Sequence, residues 1–149
     1  MIYILYGQPG SGKTTLSKML QNHLIKNMPV IIDGDEFRKI FNQTDYSKKG
    51  REDNIRSANI VATYISKAQS KDVIMALVNP YEHLRTELKQ SCQVIEILLQ
   101  TNRDLRREYH VEEFNIGNPD IIINTDKSID TTFKDLISKL NKGSPHATN

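Results

Sequence analysis

Gly7-Gln8-Pro9-Gly10-Ser11-Gly12-Lys13-Thr14 meets the spacing G-x-x-x-x-G-K-[ST] at every fixed position. The chemistry that this spacing serves is the cradling of a polyphosphate. Gly7, Gly10 and Gly12 let the backbone curl so that successive N–H groups, that of Ser11 among them, point inward at phosphate oxygens. A helix opening at this point, with Thr15 in its first turn, adds the partial positive charge of its N-terminus. Lys13 is then placed to reach the β- and γ-phosphates as a catalytic cation, and the Thr14 hydroxyl to ligate Mg²⁺. ATP and Mg²⁺ are therefore the expected cofactors.

Three further groups narrow the reaction. Asp33 and Asp35, in Asp33-Gly34-Asp35, follow a short apolar run and so fall at the carboxyl end of a strand, the side on which ligands bind in open α/β sheets. A carboxylate there can hold a water of the Mg²⁺ shell or take a proton from an attacking hydroxyl, which makes Asp33 a candidate metal and catalytic residue. An Asp-Gly turn with a helix cap is the alternative for the same residues. Arg38, Arg51 and Arg56, with Asn54 between the last two, fall near two helix starts on that side. Converging arginines suit an acceptor that carries its own phosphate or sulfate; a solvated helix face is the alternative. Finally, Arg103, Arg106, Arg107 and His110 form a basic segment after the fourth strand. Such a segment can close over ATP and exclude water, or serve as a polar connection.

The elements that must position these groups alternate between strand and helix, which predicts an α/β fold with a parallel sheet and right-handed crossovers. Ile2–Tyr6 reads as the first strand, and Leu16, Met19, Leu20, His23 and Leu24 recur at helical spacing within Thr14–Asn27. Val30–Ile32 is the second strand. A long helix is expected over about Gly50–Ser70, with Ile55, Ala58, Asn59, Ala62, Ile65 and Ser66 inward. Asp72–Val78 has the near-continuous apolarity of a strand covered on both faces. Tyr81–Gln90 reads as a helix, Val94–Leu99 and Ile121–Ile123 as strands, and Ile129–Leu140 as a closing helix capped by Ser128 or Asp130. Residues 1–142 form one expected domain, and 143–149 a flexible polar tail.

Composition excludes several classes. The chain has 149 residues, a net charge of +2 and 26% charged residues, so no large basic surface argues for duplex nucleic acid. One cysteine, Cys92, rules out an internal disulfide, and four scattered histidines lack zinc-like spacing. No apolar run approaches the roughly 18 residues of a membrane span, and the N-terminus enters a strand directly; a cytoplasmic protein is expected. A guanine-nucleotide switch should carry N-K-x-D, whereas Asn124-Thr125-Asp126-Lys127 has those letters in another order. A motor ATPase usually ends its core strand in an acid, whereas this strand runs into Asn79-Pro80.

In their order along the chain, these segments resemble the adenylylsulfate kinase family. Its D-G-D-x-x-R block stands as Asp33-Gly34-Asp35-Glu36-Phe37-Arg38. Its F-S-x-x-D-R-x-E-N-I-R block has a relative in Tyr46–Arg56, where D-R is Gly50-Arg51. Its S-P-Y turn corresponds to Asn79-Pro80-Tyr81, and its P-E-L-x-x-[DN]-T ending is echoed in Pro119–Thr125. The resemblance implies a P-loop fold with a parallel five-stranded sheet and helices on both faces. It also implies transfer of the γ-phosphate of MgATP to the ribose 3′-hydroxyl of adenylylsulfate, in sulfate assimilation. Arg103 and Arg107 would face ATP, while Asp35, Arg38, Phe41, Arg51, Asn54, Asn79 and Pro80 would hold the acceptor nucleotide. The partner is then a small nucleotide, and a homodimer is compatible with this reading. The family's longer lid, R-D-x-K-G-L-Y-x-x-A-R, is reduced here to Asn102–Tyr109, which predicts looser discrimination among acceptors.

Overall fold

The computed structural model describes residues 1–103 and 109–143. Its centre is a fully parallel sheet of five strands in the order β2-β3-β1-β4-β5. The strands are β1 (Ile2–Tyr6), β2 (Val30–Asp33), β3 (Val73–Ala76), β4 (Val94–Gln100) and β5 (Ile121–Asn124). The helices are α1 (Lys13–His23), α2 (Gly34–Ile40), α3 (Lys48–Ala68), α4 (Glu82–Lys89) and α5 (Ile129–Gly143). In register, Ile2 of β1 lies between Val73 of β3 and Val94 of β4.

Alternating side chains divide the interior into two cores, which is why the strands read as unbroken apolar runs. Ile2, Ile4 and Tyr6 of β1 face α3 and α4 and meet Ile55, Ala58, Leu84 and Leu88. Leu5 faces the other way, onto Leu16 and Leu20 of α1 and Leu136 and Leu140 of α5. Helices thus cover both faces, and all the loops that carry candidate chemistry leave the carboxyl ends of the strands.

The structure shifts several expected boundaries. α1 stops at His23 and gives way to a 3₁₀ turn over Ile25–Asn27. Pro29 disfavours the right-handed helical region for its predecessor, and Met28 takes φ 48° instead. α3 begins at Lys48 because the Ser47 hydroxyl accepts the Gly50 N–H at 3.2 Å and caps it. Ile65 and Ser66 on its inner stripe are only half-buried. β3 is shorter than Asp72–Val78, and Tyr81 caps α4 rather than opening it. α2, expected only as a helix start near Arg38, is capped by Asp33, as the capping alternative for that residue has it. For α5, Ser128 is the capping residue, accepting the Thr131 N–H at 3.2 Å. Of the tail expected from 143, Gly143 still belongs to α5, and 144–149 lie outside the described residues.

Candidate active site

The glycine loop connects β1 to α1, and its glycines serve different needs. Gly10 and Gly12 have φ of 85° and 98°, a left-handed geometry that favours glycine. Gly7 is confined by its neighbour: a Cβ there would lie 2.6 Å from the Leu99 carbonyl oxygen of β4. Lys13 folds over the loop. Its Nζ donates to the carbonyls of Gly7 at 3.0 Å and Gln8 at 2.9 Å and to Ser11 Oγ at 3.3 Å. Ser11 itself is fully buried beneath the loop.

At the start of α1, Thr14 Oγ1 donates to Asp33 Oδ2 at 2.8 Å. The other carboxylate oxygen, Oδ1, accepts the N–H groups of Asp35 at 3.1 Å and Glu36 at 3.3 Å, capping α2. Asp33 is therefore a helix cap and an acid beside the loop at once, one oxygen for each. A hydroxyl and a carboxylate side by side next to a polyphosphate cradle form an all-oxygen donor set of the kind Mg²⁺ takes. The residues present fit that ion.

Above this floor opens a cleft of about 800 Å³. Lys13, Thr14, Thr15 and Asp33 line it. Arg38, Arg51, Asn54, Asn79, Pro80 and Asp35 line the same cleft, so the structure brings these candidates into one cavity. Arg38 Nη1 donates to the carbonyls of Gln43 at 3.3 Å and Asp45 at 3.1 Å, and its guanidinium lies 4.1 Å from the centre of the Tyr46 ring. Arg51 Nη1 approaches the Tyr81 hydroxyl at 3.4 Å. Asn79 takes φ 49° and is 1% exposed, and neither polar atom of its side chain has a partner. The space beside Gly50, where the family's block carries an aspartate, is filled by Asp45. Contacts with Ser47 hold that carboxyl below its usual value.

Other candidates fall elsewhere. Phe41 is 60% exposed and packs on Phe37 with ring centres 4.6 Å apart, outside the cleft lining. Arg103 bonds to Thr101 Oγ1 at 3.0 Å and Thr125 Oγ1 at 3.3 Å, also outside that lining. Arg106 and Arg107 lie outside the described residues. Arg56 turns to the outer face of α3, toward Glu52 at 3.8 Å and Glu87 at 3.7 Å, as the solvated-face alternative has it.

Two features escape a reading by motif. Arg85 of α4 is fully buried, with Nε on Glu96 at 2.9 Å and Nη1 on the Asn79 carbonyl at 2.7 Å. Its Nη2 donates to the carbonyls of Asn115 at 2.6 Å and Ile116 at 3.0 Å. The signal was present: a lone glutamate inside the apolar run of β4 demands a buried cation. The second is the Gln8 side chain, which bonds to the main chain of Val111, a residue of the cleft wall. No sequence pattern announces that contact.

Comparison with known proteins follows the same lines. Residues 1–114 match the family described as adenylylsulphate kinase. The adenylyl-sulfate kinase of Myxococcus xanthus (strain DK1622) is 34% identical over 108 residues, covering 68% of this chain and 58% of that protein. The chain thus matches less than two-thirds of that relative's length. The Mycobacterium tuberculosis APS kinase solved in complex with AMPPNP and APS superposes with a TM-score of 0.77 at 20% identity, covering 94% of this chain and 96% of that one. A hexameric APS kinase from Thiobacillus denitrificans gives a TM-score of 0.72 at 25% identity, covering 95% of this chain and 28% of that one.

Proposed function

The chain belongs to the adenylylsulphate kinase family, and from that premise we propose that it transfers the γ-phosphate of MgATP to the ribose 3′-hydroxyl of adenylylsulfate. The observation that carries this reading is the Thr14–Asp33 contact in a cleft whose lining also presents two arginines and Asn54. Mg²⁺ held by the Thr14 hydroxyl and the Asp33 carboxylate would neutralise charge on the β- and γ-phosphate oxygens. The loop N–H groups and the α1 N-terminus hold those phosphates, and Lys13 exchanges its loop carbonyls for phosphate oxygens.

Arg38 and Arg51 bind the anionic part of the acceptor, which directs its hydroxyl at the γ-phosphorus. As the new O–P bond forms, the bond from phosphorus to the bridging oxygen breaks and ADP leaves. Asp33 takes the hydroxyl proton. A cytosolic setting suits an enzyme that consumes MgATP.

Incubation with MgATP and a panel of nucleotides, followed by mass analysis of the products, tests this. Adenylylsulfate gaining one phosphate is the expected result. Phosphorylation of another nucleotide or nucleoside derivative alone would reassign the acceptor, and release of inorganic phosphate without any phosphorylated acceptor would move the chain to a nucleotide-hydrolysing class.

A further inference from the structure

Building on that functional reading, we propose that the Gln8 side chain is a positioning residue, holding the acceptor-side wall of the cleft at a fixed distance from the phosphate loop. Position 8 is one of the unspecified positions of the loop spacing, where phosphate binding needs only backbone. Yet Gln8 Nε2 donates to the Val111 carbonyl at 2.8 Å, and the Val111 N–H donates back to Gln8 Oε1 at 2.9 Å. The side-chain amide therefore pairs with the main chain across 103 residues of sequence as one strand residue pairs with another.

Val111 is 5% exposed and lines the cleft together with Tyr109 and His110. Downstream, the stretch is fastened to the acceptor side. The Asn115 N–H donates to the Pro80 carbonyl at 2.7 Å, and Lys48 at the start of α3 pairs with Glu113 at 3.0 Å. Phe114 stacks on Tyr6 with ring centres 6.2 Å apart, and the Tyr6 hydroxyl donates to the Ile116 carbonyl at 2.7 Å. At its upstream end the stretch is tied to the phosphate loop through Gln8. The Gln8 backbone carbonyl, meanwhile, accepts from Lys13. One residue thus has its main chain at the proposed phosphate site and its side chain on the stretch that continues to the acceptor side. A shift of about 1 Å between reacting groups costs as much as a hundredfold in rate, so such a tie has catalytic weight.

Gln8→Met keeps the length of the side chain and removes both bonds. In the full-length protein, amide hydrogen exchange at Val111 should quicken by about tenfold or more, while amides of β1 and β4 keep their rates. The KM for adenylylsulfate should rise about tenfold, the weight of two neutral hydrogen bonds. The Kd for AMPPNP with Mg²⁺ should stay within about twofold. Unchanged exchange at Val111 would overturn the proposal. So would faster exchange with the KM for adenylylsulfate and the kcat per AMPPNP-binding site both unmoved, since counting binding sites removes any loss of folded enzyme. Absence of transfer by the wild type would instead overturn the functional reading, leaving the tie to be judged by the exchange measurement alone.

Discussion

The two walls of the cleft are built on opposite plans. The lining proposed to hold phosphate comes mainly from consecutive residues, 7–15, with Asp33 beside them; it makes demands on backbone, two glycines at positive φ and one pressed against Leu99, and on the Lys13 and Thr14 side chains. The lining proposed to hold the acceptor is gathered from α2, α3, the turn after β3 and the stretch around Val111, and its demands are on side chains. A local wall survives small errors of packing elsewhere. A gathered wall would carry every such error into the position of a bound acceptor, so under the proposed function acceptor specificity would depend on far more of the fold than phosphate binding does.

Lys13→Ala strikes the local wall and should have the largest effect. A lost cation at the transferring phosphate lowers kcat by about a thousandfold or more and weakens ATP binding, as single-turnover kinetics and calorimetry would show. Near-normal turnover would overturn the assignment of residues 7–14 to phosphoryl transfer.

Asp33→Asn separates the two roles of the residue that joins the walls. Asparagine caps helices about as well as aspartate, so the melting temperature should hold while kcat falls about a hundredfold. A protein that melts early yet keeps its turnover would reduce Asp33 to a cap.

Arg51→Ala should raise the acceptor KM roughly ten- to hundredfold, with the ATP KM within about twofold, because a charge-assisted hydrogen bond is lost on one wall only. Arg38→Ala should do the same and also lower the melting temperature, since that guanidinium holds the carbonyls of Gln43 and Asp45. Equal changes in both KM values would erase the distinction between the walls.

The smallest effect concerns Tyr6, fully buried at the end of β1. Burial pushes its hydroxyl up to about 12, and burial followed by the nearby Asp72 carboxylate pushes that of Tyr3 up to about 12 as well. Unfolded tyrosines ionise near 10, so the folded protein holds these protons more tightly. Their contribution to stability is complete below about pH 10 and is lost as pH rises from there through about 12. Melting temperatures should fall across that window. Tyr6→Phe should lower stability at neutral pH, by losing the bond to Ile116, and flatten the alkaline decline; an unchanged alkaline slope would assign that decline to other groups.

The difference between the walls also explains what the sequence made legible. The glycine loop could be read because its constraints lie within a single turn. Arg51 and Asn54 could be placed together because three residues along a helix return to nearly the same face. Arg56, five residues beyond Arg51, points roughly 140° away and finds Glu52 and Glu87 instead. Phe41 fell outside the cleft because it ends α2 and its ring turns back onto Phe37. α2 itself is seven residues long, too short for periodicity to declare it. The Gln8–Val111 pair and the Arg85 cluster depend on side chains that meet only after folding.

Arg85 carries a consequence for how the chain is made. Its partners are spread over residues 79, 96, 115 and 116, so a ribosome delivers the cation before its last acceptors exist. Until those two carbonyls arrive, helix α4 can lie against β1 only with Nη2 of the guanidinium unsatisfied, and a buried donor left without its acceptors costs about 1–3 kcal/mol. Closure of this core is therefore postponed until residue 116 has emerged. By then every strand but β5 has been made, and a nascent chain halted short of that point should remain open to proteases.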